Sequence, residues 1–160
     1  ESYVTQELRE LILNHFPADA SKVGIFGHSM GGHGALVLAL RHPELYQSVS
    51  AFAPIAAPSQ CPWGKKAFSH YLGEDTVTWR AYDATALVED GKRVSPILID
   101  QGLSDQFLVN QLNPDVFEAA CLQHNQPLTL RRHESFDHGY YFISTFMADH
   151  FAHHVRCLVG

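Results

Sequence analysis

The chain contains 160 residues, 46% of them apolar and 18% charged, a composition typical of one globular domain with a substantial core. Its formal net charge of −6 and the lack of a basic block exclude nonspecific binding to nucleic acid. No apolar run approaches the roughly 20 residues that a membrane span requires, so we expect no membrane partner.

The cysteines Cys61, Cys121 and Cys157 are odd in number, widely spaced and include no C-x-x-C pair. This pattern is more typical of reduced thiols than of a disulfide framework. No signal-peptide pattern opens the chain. The sequence therefore predicts a cytoplasmic protein.

The first predicted helix occupies residues 1–16, where apolar residues recur at helical spacing. The stripe consists of Val4, Leu8, Leu11 and Ile12. Because this helix is already under way at the first residue, we expect the chain to begin inside a larger domain. Residues 1–160 are then the C-terminal portion of a single domain.

Short β-branched strands alternate with helices along the rest of the chain. Strands are predicted at 22–26, 48–53, 96–101 and 128–132, and helices at 30–41, 113–123 and 140–158. The stretch 54–90 is irregular, with short helices predicted near 65–71 and 78–81. Asn113 is the predicted N-cap of its helix, and Pro114 occupies the first turn, where its missing N–H costs nothing.

This alternation predicts the α/β class, with a mostly parallel sheet covered by helices on both faces. Ligands of such sheets bind at the carboxyl ends of the strands. A reactive side chain is therefore expected directly after a strand.

Gly27-His28-Ser29-Met30-Gly31 follows the first predicted strand and opens the next helix. This is the G-x-S-x-G pattern in its strand–turn–helix context, which predicts Ser29 as an exposed nucleophile on a strained turn. Side chains at 27 and 31 are expected to clash with the backbone there, and Gly32 and Gly34 suggest close packing of helix on sheet. The helix N-terminus, through the Met30 N–H, is the predicted oxyanion donor.

A serine nucleophile needs a base, and the base needs a carboxylate to orient it, in the chain order Ser, Asp or Glu, His. Two histidines follow the last predicted strand. His133 adjoins the strand end, whereas His138 lies deeper in the loop, directly before the last helix, and is the preferred base. His28, inside the serine turn, is expected to line the pocket.

The preferred acid is Asp105, in the loop that follows strand 96–101. Asp100 is still within the strand, where pairing with a loop amide is the expected role. Asp137 adjoins the base and is expected to cap the last helix or fix the loop. The predicted triad is therefore Ser29, Asp105 and His138.

Three histidines of the last helix, His150, His153 and His154, lie at helical spacing with Cys157. The spacing superficially resembles a metal site, but no carboxylate-bearing motif accompanies it. A solvated helix face is the expected explanation, and no metal site is predicted.

Seven segments together resemble the S-formylglutathione hydrolase (esterase D) family of α/β-hydrolases. They are GHSMGGHGA (27–35), SAFAPI (50–55), CPWGKKAF (61–68), YDAT (82–85), IDQG (99–102), DQF (105–107) and DHGYYF (137–142). The likeness extends from Ser2 to Cys157. Carried over by these motifs, the family's triad falls on Ser29, Asp105 and His138.

The resemblance implies hydrolysis of the thioester S-formylglutathione to glutathione and formate, by a cytoplasmic homodimer that needs no cofactor or metal. Formyl is the smallest acyl group, so we expect a narrow acyl pocket. Trp63, Phe107 and Tyr140 are candidates to narrow it, with a plain wall or core role as the alternative for each. Lys65 and Lys66 are either contacts for the glutathione carboxylates or simply solvated.

The family's front half, with its early strands and the loop that supplies the second oxyanion N–H, is absent from this sequence. We therefore expect strand 22–26 to have an unpaired edge and the chain alone to be inactive. The alternative functions are a broad short-chain carboxylesterase, an acyltransferase of the same superfamily, and an inactive fragment that acts only as a structural or binding module.

Overall fold

The computed structural model describes residues 1–159, which form one parallel sheet and the helices that cover it. The strands are β1 (Gly24–His28), β2 (Ser48–Phe52), β3 (Ile97–Gly102) and β4 (Leu128–His133). The α-helices are α1 (Leu8–His15), α2 (Met30–Arg41), α3 (Pro62–Leu72), α4 (Thr76–Trp79), α5 (Ala84–Glu89), α6 (Pro114–Gln123) and α7 (Tyr140–Val159). Shorter turns are π-helical at Tyr3–Glu7 and Leu108–Leu112 and 3₁₀ at Pro58–Gln60 and Arg80–Tyr82.

All strand pairs are parallel, in the order β1-β2-β3-β4. Each strand therefore returns to the sheet through a helical crossover. The helix α2 joins β1 to β2, the segment α3–α5 joins β2 to β3, and α6 joins β3 to β4. As a result the carboxyl ends of all four strands meet at one edge of the sheet. The predicted α/β architecture is confirmed.

The two faces of the sheet are covered by different helices. Val49 and Ala51 belong to an apolar cluster with side chains of α2, α5 and α6. Ser48 and Ser50, whose side chains alternate with these along β2, contact α7 instead. Helices therefore lie on both faces, and the interface with α7 combines these buried hydroxyls with an apolar cluster around Phe52 and Phe142.

The strands are offset from their predicted limits because their neighbours set the pairing. The N–H of Lys22 closes a turn onto the Asp19 carbonyl, and the N–H of Val23 donates to the Gln47 side chain, so both precede the ladder. At the other end, β1 continues to His28 because the N–H of Ser29 still donates to the Phe52 carbonyl at 2.9 Å. The predicted limits of α2 are confirmed.

Asn113 precedes α6, as predicted, but its side chain forms no capping hydrogen bond. Its backbone is left-handed, with φ 51° and ψ 47°, a conformation that asparagine adopts more readily than most residues. Pro114 occupies the first turn, as predicted. The sequence did not predict α5, which begins at an Asp83 N-cap whose carboxylate accepts the N–H of Ala86.

The apolar stripe of the first helix lies mostly uncovered, and so does part of the sheet edge. Leu11 is 52% exposed, and neither Leu8 nor Ile12 is buried. The strand β1 is at the edge of the described sheet, with Phe26 43% exposed. Within residues 1–159, no helix has the length and apolar character to cross a membrane.

The prediction of a solvated histidine face on α7 is wrong, because His150, His153 and His154 are buried. His154 contacts the hydroxyl oxygens of Ser48 at 2.6 Å and Ser50 at 2.8 Å through its two ring nitrogens. The hydroxyls of β2 thus give the ring polar partners that solvent would otherwise supply. The helical spacing of these histidines is therefore compatible with burial against the serines of β2 as well as with exposure to solvent.

Asp100 is the anionic centre of this interface, which corrects its predicted pairing with a loop amide. Its carboxylate accepts two hydrogen bonds from Arg131 and lies 3.1 Å from ring nitrogens of both His133 and His150. Burial by itself raises the pKa of Asp100, but the hydrogen bonds from His150, Arg131 and His133 outweigh it, and the pKa lies well below its usual range. A buried carboxylate therefore stays ionised beneath α7.

Replacing His154 with Asn is expected to reduce the loss of stability between pH 7 and pH 5. Burial, with smaller contributions from His153 and His150, lowers the pKa of His154 to about 4. The unfolded chain binds a proton at about pH 6.5 and the folded chain does not, so the free energy of unfolding falls as the pH drops through this window. We expect a loss of about 1–2 kcal/mol, because solvent screens part of the effect.

Urea unfolding at the two pH values measures this difference. The exposed His70 provides the control, since His70→Asn is expected to keep the pH dependence of the unsubstituted protein. Asp100 loses its charge only at more acidic pH and does not contribute to this window. An unchanged pH dependence in His154→Asn would show that the buried imidazole is not responsible.

Candidate active site

Ser29 lies on the sharp turn between β1 and α2, with φ 55° and ψ −115°. A non-glycine residue with this backbone is strained, and such strain persists only where the surroundings fix it. The Ser29 N–H donates to the Phe52 carbonyl, and the Ser29 carbonyl accepts the N–H of His33, each at 2.9 Å. The turn is thus held by the end of β2 on one side and by the first turn of α2 on the other.

Two glycines make this turn possible, and each belongs to one of the two predicted pairs, Gly27 and Gly31 or Gly32 and Gly34. A Cβ on Gly27 would lie 2.3 Å from the Gly31 carbonyl oxygen, and one on Gly32 would lie 3.0 Å from the Pro54 Cβ. Gly31 and Gly34 have no atom within 4 Å of the equivalent position. The predicted clash is therefore confirmed at Gly27 and wrong at Gly31, and close packing on the sheet is confirmed at Gly32 and wrong at Gly34.

The N-terminus of α2 points free backbone N–H groups at the space beside Ser29. Among residues 1–159, no oxygen accepts a hydrogen bond from the N–H of Met30, the predicted oxyanion donor. Met30 itself is 74% exposed. This N–H is thus available to an incoming oxygen.

Asp105 and His138 are joined by a hydrogen bond of 2.5 Å between Oδ2 and Nδ1. The Asp105 side chain is fully buried, and that of His138 is 15% exposed. The other carboxylate oxygen, Oδ1, accepts the N–H of Phe107 at 2.8 Å. Because Nδ1 faces the carboxylate, Nε2 is the ring nitrogen left to accept a proton from a substrate or a nucleophile.

The His138 ring lies against the serine turn. Its centroid is 4.4 Å from that of His28, the residue before Ser29. Burial, reinforced by the neighbouring His138, lowers the pKa of His28, which favours its neutral form beside the Asp105–His138 pair. In this structure the Ser29 hydroxyl has no hydrogen-bond partner within residues 1–159.

Contacts between two loops bring Asp105 and His138 together. The N–H of Ser104 donates to the Phe136 carbonyl, and the N–H of Leu103 donates to the His133 carbonyl, each at 2.9 Å. A Cβ on Gly102 would lie 2.3 Å from the Phe136 carbonyl oxygen, so only glycine allows this approach. The glycine that ends β3 thus fixes the position of the loop that carries the histidine.

The alternatives to His138 as base and to Asp105 as acid have other partners. His133 contacts Asp100 and stacks on Phe146 with ring centroids 3.8 Å apart. Asp137 accepts the N–H of Gly139 at 2.8 Å, which confirms its predicted role in fixing the loop.

An apolar cavity of about 490 Å³ lies next to the serine turn, between α2 and α3. Its walls include Met30, His33, Ile55, Trp63 and Phe68. Trp63 also stacks on Phe107, with centroids 5.9 Å apart.

Of the other predicted pocket residues, Phe107 contacts the His138 ring and Tyr140 lies near the His28 ring. Phe107 packs edge-on against the His138 ring at 4.9 Å. Tyr140 is 85% exposed and lies 6.5 Å from the His28 ring. Trp63 and Phe107 are thus between the cavity and the histidine, whereas Tyr140 lies at the rim. Lys65 and Lys66 are exposed.

The sequence interpretation missed Gln101, which is fully buried and donates to the Asp105 carboxylate at 3.3 Å. The available signal was the polar pair Asp100-Gln101 at the end of an otherwise apolar strand. It also missed His33 and Ile55 of the cavity. Within residues 1–159, no group of three or more His, Cys, Asp or Glu side chains is arranged to hold a metal ion.

The Esterase family profile matches residues 1–153 of the chain. S-formylglutathione hydrolases of rat and mouse are 57% and 58% identical to it, with 98% of this chain aligned to 56% of each relative. The chain thus spans little more than half the length of these relatives.

Solved structures share the fold of this chain. An S-formylglutathione hydrolase from Agrobacterium tumefaciens superposes with a TM-score of 0.96 at 55% identity, over 98% of this chain and 57% of that one. A fluorophosphonate-binding serine hydrolase from Staphylococcus aureus, 21% identical over 96% of this chain and 62% of its own, has a TM-score of 0.78 and shares the fold. The chain therefore belongs to the Esterase family and has the α/β-hydrolase fold, with S-formylglutathione hydrolases among its similar relatives.

Proposed function

We propose that the protein containing this chain is a serine hydrolase that cleaves S-formylglutathione to glutathione and formate. Ser29 is the nucleophile, His138 the base and Asp105 the acid. The observation that carries the proposal is the hydrogen-bonded Asp105–His138 pair, held against the residue that precedes a strained serine. Identities of 55–58% to hydrolases named for this thioester support the choice of substrate.

In the first half of the proposed reaction, the Ser29 oxygen attacks the formyl carbon while His138 Nε2 takes the hydroxyl proton. The carbonyl oxygen becomes an oxyanion, which the Met30 N–H stabilises. When the carbon–sulfur bond breaks, the imidazolium returns the proton to the sulfur, and glutathione leaves as the thiol. Asp105 stabilises the imidazolium and fixes its orientation throughout.

In the second half, water attacks the formyl ester on Ser29 while His138 accepts a proton from it. The bond between carbon and the Ser29 oxygen breaks, and the proton returns to that oxygen. The product leaves as formic acid, which loses its proton to water and becomes formate. Both halves use only protein groups and water, so the proposal includes no cofactor or metal. Three cysteines without disulfides support the proposed cytoplasmic location. The proposed homodimer rests on the family resemblance alone.

A short-chain carboxylesterase activity is the second candidate, and the apolar cavity favours it. About 490 Å³ beside Met30 and Ile55 exceeds what a formyl group fills. The Trp63–Phe107 stack separates part of this space from His138. The same machinery would then accept esters with longer acyl groups, with Trp63 limiting their length.

We also propose that the natural protein contains further sequence that pairs with β1 and supplies a second oxyanion N–H. The exposed Phe26 at the sheet edge and the exposed Leu11 of α1 support this proposal. So does the length of the relatives, of which this chain spans 56%. The 160 residues are then the catalytic C-terminal portion of one domain, and in isolation they retain one of two oxyanion donors.

Ser29→Ala is expected to abolish labelling of the natural-length protein by a fluorophosphonate probe, since the probe reacts only with an activated serine oxygen. Gel fluorescence measures the labelling, with Ser104→Ala, an exposed serine near the site, as the control that remains labelled. The isolated 160-residue chain is expected to react about 10²–10³-fold more slowly, because one oxyanion donor is missing. Equal labelling of Ser29→Ala and the unsubstituted protein would contradict the proposed nucleophile.

Asp105→Asn is expected to lower kcat by about 10³–10⁴ with little change in fold, because an amide neither fixes the imidazole tautomer nor stabilises the imidazolium. Steady-state hydrolysis of S-formylglutathione measures this effect. The matched control is Asp137→Asn, which keeps an oxygen to accept the Gly139 N–H and is expected to remain within a few-fold of the unsubstituted protein. A larger loss in the control than in Asp105→Asn would assign the acid to Asp137.

Trp63→Ala is expected to shift the preference from formyl and acetyl esters toward butyryl esters by about 10-fold in kcat/KM, because a removed indole leaves room for added methylenes. Turnover of a p-nitrophenyl ester series measures the preference. The control is Tyr71→Ala. Tyr71 lines the same cavity but is 81% exposed, so its removal is expected to leave the order of preference among the esters unchanged. An unchanged preference in Trp63→Ala would remove the indole from the acyl pocket.

A further inference from the structure

Gln101 has a buried polar side chain to which the proposed mechanism assigns no role. It is the penultimate residue of β3 and is fully buried. We propose that Gln101 is a positioning residue, whose side-chain amide fixes the Asp105 carboxylate and thereby aims the His138 ring at Ser29. This inference rests on the proposed triad and adds a fourth side chain to it.

The hydrogen bonds of Gln101 fix the direction of its amide. The nitrogen Nε2 lies 3.0 Å from the Gly102 carbonyl oxygen and 3.3 Å from Asp105 Oδ2. Both partners accept hydrogen bonds and donate none, so the amide can face them only through its NH₂ group. Each of the two N–H bonds then has its own acceptor.

Packing alone does not account for glutamine at this position. Its oxygen Oε1 is buried and has no hydrogen-bond partner within residues 1–159. An unpartnered buried polar atom destabilises the folded state, and an apolar side chain of the same size would avoid this cost. The first three residues of the strand, Ile97, Leu98 and Ile99, are apolar. The benefit of the amide is therefore at its donor end, where the acceptors are Asp105 and the adjoining backbone.

Three donors hold the Asp105 carboxylate. Phe107 N–H binds Oδ1, while His138 Nδ1 and Gln101 Nε2 both bind Oδ2. Two of these bonds, one to each oxygen, leave the planar carboxylate little freedom to rotate. Gln101 belongs to β3, whereas His138 belongs to the loop that follows β4. Without Gln101, the carboxylate can follow the histidine rather than direct it.

Gln101 and His138 also share the negative charge of the same oxygen. A hydrogen bond from Gln101 disperses part of the charge that would otherwise stabilise the imidazolium. Removal of the amide is therefore expected to make the imidazolium persist to higher pH. The basic form of His138 that accepts the serine proton would then appear at higher pH, and the acidic limb of the kcat/KM profile would move with it. A residue that only fills space would not produce this shift.

The experiment compares Gln101→Met with Gln126→Met in the natural-length protein. Gln126 is also buried, and its amide bonds only to the backbone around Val94 and Pro127. Hydrolysis of p-nitrophenyl acetate is measured from pH 5 to pH 9, and melting temperature is measured in parallel. For Gln101→Met we expect kcat to fall about 10-fold with KM nearly unchanged, and the acidic limb to move upward by about half a pH unit. Gln126→Met is expected to lower the melting temperature and leave the profile in place.

Identical pH profiles and kcat values for Gln101→Met and the unsubstituted protein would overturn the proposal. If Gln101→Met does not fold, Gln101→Glu replaces it, since the carboxyl group is similar in size and donates only when protonated. The activity of Gln101→Glu relative to the unsubstituted protein is then expected to rise as the pH is lowered. A ratio that does not depend on pH would also overturn the proposal.

A second readout separates this inference from the proposed function. Titration of the His138 ring by NMR reports the loss of the amide directly, without any turnover. An unsubstituted protein that neither hydrolyses esters nor reacts with a fluorophosphonate would refute the hydrolase. A His138 titration that is the same in Gln101→Met and the unsubstituted protein would refute the role of Gln101 alone.

Discussion

The parallel pairing of β3 with β4 is the constraint on which the contact between Asp105 and His138 depends. It aligns the ends of the two strands, so that the following loops bond to each other from Leu103 and Ser104 to His133 and Phe136. Only then does a carboxylate from one loop meet an imidazole from the other. The contact needs a glycine at 102, since the Phe136 carbonyl occupies the space of any side chain. The hydrogen bond between Asp105 and His138 is thus a consequence of strand register as much as of the two residues.

The polar interface beneath α7 connects to the same edge through Phe52. The Phe52 ring stacks on His150 at 3.7 Å, and its carbonyl accepts the N–H of Ser29. The next residue, Ala53, has a positive φ of 41° and donates its N–H to the Asp100 carbonyl. Two strained residues, 29 and 53, are therefore held by the ends of β2 and β3. The buried charge of Asp100, with its arginine and histidine partners, ties β3, β4 and α7 together behind them. A buried ionic cluster of this kind is a poor source of net stability, and a fixed geometry at the strand ends is its more direct physical consequence.

Much of the fold, including the turn and the strand ends on which the three triad candidates lie, could be predicted because each depends on local sequence. The turn around Ser29 needs glycine nearby, a parallel strand needs a crossover helix, and both leave signatures a few residues long. The histidines of α7 could not be predicted in this way. Whether His154 faces solvent or Ser48 depends on which strand face lies under the helix, and these residues are 106 positions apart. Gln101 was missed for a similar reason, since a polar residue at a strand end is usually attributed to exposure and its partner is known only once the loop is placed.

The proposed reaction makes two demands that fall on different parts of the structure. Proton transfer needs Ser29, His138 and Asp105, all of which come from the described residues and lie at the carboxyl edge of one sheet. Oxyanion stabilisation needs two donors, of which α2 supplies the Met30 N–H. The strand that precedes Ser29, β1, is at the edge of the described sheet. The serine turn is therefore supported by β2 on one side, while Phe26 on β1 is left partly exposed. A nucleophile at this position can be oriented by its own chain, but the rigidity that preserves a strained φ of 55° benefits from support on both sides. The proposed neighbouring sequence would therefore contribute to the serine's geometry as well as to the oxyanion.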